Sequence, residues 1–157
     1  MLLFRLTISV AILLLLTASI TSHWQIIGID QPPLNTNIGL WQICSKYPAK
    51  YSVCRSTRVD SSHKLILYLI RFLSILSIFV ACGSIIFANN RSISIILIGS
   101  TLLLSFLTSF LYSSYLENYF SEYFDKLMYS RYSYSYYLQW TAILILLFAT
   151  ILRCMLS

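Results

Sequence analysis

Four long stretches of this chain are almost wholly apolar: Leu2 to Ser22, Leu65 to Ala88, Ile93 to Tyr112 and Leu138 to Leu156. At about 1.5 Å of rise per residue, runs of roughly 20 residues match the ~30 Å hydrocarbon core of a bilayer. Stretches such as Ala11-Ile12-Leu13-Leu14-Leu15-Leu16 lack the alternation a barrel strand needs, and in lipid every backbone donor must then be paired inside its own helix. The pattern predicts a single four-span membrane domain over residues 1–157, an all-α transmembrane four-helix bundle. Polar segments fill the gaps: a 42-residue loop at 23–64, a turn of four residues at 89–92 and a 25-residue loop at 113–137. So short a turn makes the second and third helices antiparallel neighbours, and four crossings bring both chain ends to one side.

Composition strengthens this picture. With 58% apolar and 10% charged residues and a mean hydropathy of +0.76, the chain lies far from a soluble domain, whose charged fraction is near a quarter. No cytosolic domain can be built from the remainder. Arg5, the apolar run and Thr17-Ala18-Ser19 also fit a cleavable signal peptide, but the run exceeds the usual h-region of about 7 to 15 residues, so a span is expected.

Charge and cysteines pull the orientation in opposite directions. The 23–64 loop carries Lys46, Lys50, Arg55, Arg58 and Lys64 against Asp30 and Asp60, whereas the other side has Arg5, Arg91 and Arg153. The positive-inside rule alone puts this loop in the cytosol, but it weakens for segments translocated as folded units. Cys82 and Cys154 fall in or at the ends of spans, while Cys44 and Cys54 flank a stretch whose Lys46-Tyr47-Pro48-Ala49 centre can turn. That second pair is placed either to cross-link a hairpin, which requires an oxidising compartment, or to remain as two free cytosolic thiols.

The order Trp24, Gly39-Leu40-Trp41, Cys44, Cys54 resembles the W–GLW–C–C signature of the claudin and peripheral myelin protein/epithelial membrane protein superfamily. Met1-Leu2-Leu3, Ser22-His23-Trp24, Leu40-Trp41-Gln42 and the Tyr134-to-Trp140 segment look most like the myelin/epithelial branch; Arg71, in the second span, looks more like the claudins. The resemblance implies a claudin-like fold with a small extracellular antiparallel β-sheet, a bonded Cys44 and Cys54, cytosolic termini and a plasma-membrane location. Candidate strands are 25–29, 38–43 and 51–53. In this frame Trp24 and Trp41 anchor the sheet at the headgroup level, each indole pairing an apolar body with one donor. Gly39 then lets the chain pass close to the helix tops. Claudins usually carry a scaffold-binding tail and myelin-type members a glycan on the first loop. Neither is expected here, since the chain stops at Ser157 and the only sequon, Asn90-Arg91-Ser92, falls in the short turn.

Several further residues are candidates for function. Arg71 is the one charge well inside a span, expected to donate to loop carbonyls or to pair with Glu117, Glu122 or Asp125. Tyr112, Tyr115, Tyr119 and Tyr123, with Phe120 and Phe124, recur at helical spacing and predict an aromatic face continuing the third helix. That face either packs on the protein's own sheet or presents Tyr115, Tyr119, Phe120, Tyr123 and Phe124 to a neighbour. Thr101, Ser105 and Ser109, like Ser77, Ala81 and Ser84, form small-residue stripes suited to bundle packing. Cys154, at a span boundary, is a candidate for palmitoylation.

Catalysis finds little footing. His23 and His63 lack a ligand set, no acidic pair lies in a span, and four glycines make no phosphate loop. No cofactor, metal or nucleic-acid partner is expected, the net charge of +6 residing mainly on the long loop. The sequence points to a non-enzymatic membrane protein acting by lateral or cell-to-cell association, its partners being the bilayer and itself or other membrane proteins in cis or trans. A narrower form lines a paracellular barrier or pore; the alternative is an auxiliary subunit of an ion channel or receptor.

Overall fold

The computed structural model describes residues 2–29, 34–46, 52–59, 61–116, 118–119 and 129–155. Four long helices dominate: α1 (Leu2–Ile20), α2 (Ser61–Ile86), α3 (Arg91–Leu111) and α4 (Tyr134–Met155). All four are long and apolar enough to cross a membrane. Three of them start earlier than the apolar runs suggest, α2 at Ser61, α3 at Arg91 and α4 at Tyr134, because a polar or aromatic first turn still closes helical bonds beyond the hydrocarbon. α2 packs chiefly on α3 and α1 on α4, and α3–α4 and α1–α2 contacts complete the ring.

Packing in the bundle follows membrane rather than aqueous logic. Ala11, Ala18, Ala81, Ala142 and Ala149 lie inside with Ser74, Ser77, Ser84, Thr101, Ser105 and Ser109, while Leu13, Phe79, Ile96 and Leu144 point outward. Lipid tails solvate a leucine as well as a protein core does, so small residues occupy the contacts and let the backbones approach. Some hydroxyls turn back onto their own helix, as Ser84 does to the Ala81 carbonyl, or across to a neighbour, as Ser19 does to Ser74, whereas those of Ser105 and Ser109 have no hydrogen-bond partner among the described residues.

One end of the bundle gathers the chain termini and the α2–α3 reversal, where Asn90 caps α3 by accepting from the Ile93 amide. Three arginines tie this end together. Arg5 donates to Asn89 Oδ1, Arg91 to the Cys154 carbonyl and Arg153 to the Ala88 carbonyl.

The other end carries a five-stranded antiparallel sheet of β1 (Gln25–Ile29), β2 (Leu34–Ile38), β3 (Gln42–Lys46), β4 (Ser52–Ser56) and β5 (Tyr129–Tyr132), in the order β4-β3-β2-β1-β5. The expected 38–43 strand divides at Gly39-Leu40-Trp41. Ile38 pairs with Ile43 across the bend, so Leu40 and Trp41 form the reversal between two strands rather than the middle of one. Register puts Gln25, Ile27, Thr36 and Ile38 on the face toward the helices, and all four are buried. β4 is exposed at every position.

Candidate functional site

The junction between sheet and helices is where the unusual residues meet. Its core holds Trp24, Ile27, Ile38, Leu40, Leu67, Ile70, Tyr112, Leu116 and Tyr136. Trp24 is fully buried within this core. Its indole Nε1 donates to the Ala18 carbonyl at 2.6 Å, and its ring lies 4.8 Å from Tyr112 and 6.2 Å from Tyr136, centroid to centroid. The reason is local: α1 ends with carbonyls that have no next turn and little water, and the indole supplies the donor.

Gly39 passes against the end of the first span so closely that a Cβ there would meet the backbone of Ser22 and lie 2.8 Å from the Thr21 carbonyl oxygen. Leu40 is buried beside it, and Trp41 turns outward, 37% exposed. Cys44 and Cys54 face each other across β3 and β4 and are bonded. Free Cys82 and Cys154 are exposed.

Arg71 links this junction to α2. Its Nε donates to the Leu40 carbonyl at 2.8 Å and an Nη2 hydrogen to the Thr57 carbonyl at 3.1 Å, while the guanidinium carbon stands 4.9 Å from the Trp41 ring and 5.8 Å from the Tyr68 ring. Thr57 is held in turn, its amide donating to the Trp41 carbonyl and its hydroxyl to the Gly39 carbonyl. The acidic partners considered for Arg71, namely Glu117, Glu122 and Asp125, lie outside the described residues.

The aromatic segment after α3 divides. α3 continues through a single π-type turn, Tyr112–Leu116, with Tyr112 and Leu116 buried and Tyr115 47% exposed. Tyr119 packs against the junction core and its ring sits 4.6 Å from His63. Phe120, Tyr123 and Phe124 lie outside the described residues.

A polar cluster around His23 is not legible from spacing. Tyr134 stacks on the ring at 4.7 Å and bonds Nδ1 at 2.8 Å, and Asn37 Nδ2 lies 3.1 Å from Nε2. Partial burial and the positive charge of Lys46 hold its pKa below 6.5. The Ser22-His23-Trp24 and Tyr134 segments point to this site only once the pairing of β1 with β5 brings residues 111 positions apart together. Inside α4, buried Gln139 reaches the Ser105 carbonyl at 3.4 Å. Among the described residues no group of three or more His, Cys, Asp or Glu side chains is arranged to hold a metal.

Four membrane-crossing helices roofed by a disulfide-bonded antiparallel sheet, with the GLW bend clamped between Arg71 and the end of α1, define a claudin-like tetraspan protein. The sequence profile of the PMP-22/EMP/MP20/Claudin family matches residues 1–153, and the chain belongs to that family of non-enzymatic multi-pass membrane proteins. No curated protein matches it individually.

Proposed function

We propose that this protein works by association within and between membranes, with the sheet outside the cell, the termini in the cytosol and the plasma membrane as its location. The observation that carries the reading is the bonded Cys44–Cys54 hairpin at the sheet end, a bond that persists only in an oxidising compartment. It outweighs the basic count of the 23–64 loop because that loop folds as a translocated unit, for which the positive-inside rule is weak.

The surface available for partners supports the same reading. The outward face of the sheet presents Asn35, Gln42, Lys46, Ser52 and Ser56, and β4 offers an edge with no strand beyond it among the described residues. Exposed Tyr115 lies near the same end, at the base of the aromatic segment. Association, rather than turnover, suits an apolar bundle with a polar, basic cap.

Two measurements test this. Protease added to intact cells is expected to cleave near Lys46 to Lys50; cleavage only after permeabilisation reverses the orientation. Cells that express the protein are expected to concentrate it at contacts with each other, and Cys44→Ser to disperse it. Uniform distribution together with stoichiometric co-purification of a channel and altered gating would instead favour the auxiliary-subunit role.

A further inference from the structure

We infer that Arg71, with Lys64 above it, forms a binding site for the phosphodiester of a membrane phospholipid, beside the segment that follows β4.

Helical spacing puts Lys64, Tyr68 and Arg71 on one side of α2 at i, i+4 and i+7. The same side continues downward into Phe72, Ile75 and Phe79, all outward-facing and exposed. A headgroup seated at Arg71 therefore has an apolar track directly below it along which an acyl chain can lie. Depth agrees. α2 spans 24 residues from His63, about 36 Å against a core of ~30 Å, so its first turn stands in the headgroup layer. The Arg71 side chain snorkels back up toward that layer, as its bonds to the Leu40 and Thr57 carbonyls require.

Chemistry specifies the ligand. A guanidinium has five N–H donors, and Arg71 uses two of them on carbonyls; Nη1 has no acceptor among the described residues. The rings of Trp41 and Tyr68 fix the group against rotation but accept no strong hydrogen bond. At the edge of hydrocarbon, unmet donors on a cation call for an anionic oxygen pair of matching geometry, which a phosphodiester provides. Within residues 52–71 Arg55, Arg58 and Lys64 are exposed and Asp60 is the one acid, so this stretch of chain is net cationic. Another lipid-facing recess, between Leu6, Val10, Leu144 and Phe148 of α1 and α4, is lined almost wholly by apolar groups and lies toward the opposite end.

The full chain, purified in mild detergent, is titrated with dioleoylphosphatidylglycerol, dioleoylphosphatidylcholine and dioleoylglycerol, and retained lipid is read by native mass spectrometry. Both phospholipids are expected to bind, phosphatidylglycerol more tightly, and dioleoylglycerol not. Arg71→Gln is expected to weaken phospholipid binding about tenfold, the loss typical of a charge-assisted pair. Lys64→Gln weakens it less, and Arg5→Gln, at the far end, leaves it unchanged. Should Arg71→Gln fail to fold, the Arg58→Gln/Lys64→Gln double variant carries the test, since neither side chain bonds a described residue and both contribute field at the site. Equal retention of dioleoylglycerol, or wild-type affinity in the double variant, or equal loss in Arg5→Gln, overturns the site. None of these outcomes bears on the orientation or the association proposed above.

Discussion

At the scale of single residues, the signature positions act by contact with backbone. Gly39 is there because a side chain would run into Ser22 and Thr21, so Gly39→Ala is expected to cost about 1–3 kcal/mol, as overpacking does, and to lower the melting temperature in detergent. Trp24→Phe keeps a ring in the junction core but takes from the Ala18 carbonyl its 2.6 Å indole donor, leaving the 3.5 Å contact from the Thr21 hydroxyl. A loss of about 1 kcal/mol is expected, the net worth of one hydrogen bond. His23 gives the protein a pH dependence. Its folded pKa lies below the ordinary 6.5, so the folded state holds the proton more weakly than the unfolded chain does. Stability is therefore complete above about pH 6.5 and falls as pH drops through the lower folded value. Protonation also sets a cation near Lys46 and removes Nε2 as an acceptor for Asn37. Thermal unfolding at pH 7.5 and 5 is expected to show this loss in wild type and a smaller one in His23→Gln.

Among elements, the sheet and the bundle divide the work of stability. The β3–β4 disulfide joins cysteines 10 positions apart in sequence and contributes about 2–3 kcal/mol by restricting the unfolded chain. Because β4 pairs only with β3 among the described strands, Cys54→Ser is expected to loosen that arm while the helices stay intact. The readout is faster proteolysis around Lys46 to Arg55 with unchanged helical circular dichroism. Arg71 holds the other margin of the same unit by bonding both the GLW bend and the segment after β4. The junction is thus fastened once by a covalent bond and once from within the membrane.

For the molecule as a whole, the two ends are built on different principles. The sheet end is a packed aromatic and aliphatic core under a polar roof; the opposite end is held by Arg5, Arg91 and Arg153, which donate to the carbonyls and the asparagine left at helix ends. Arg153 also stands 5.0 Å from the Phe4 ring. Arg153→Met is expected to preserve the apolar stem but speed amide exchange around Ala88 to Arg91, with the sheet and its disulfide unaffected.

The four helices and the pairing of Cys44 with Cys54 were readable in advance, the first from uninterrupted apolar length and the second by resemblance, because both are local properties or a shared motif. The tertiary structure alone decided that Trp24 lies inside, that Gly39-Leu40-Trp41 is a bend, and that His23, Asn37 and Tyr134 share one site. Each depends on which carbonyl or ring arrives from a distant segment. Apolar length is set residue by residue against the thickness of a bilayer, whereas the satisfaction of a buried donor is settled only when the whole chain has closed around it.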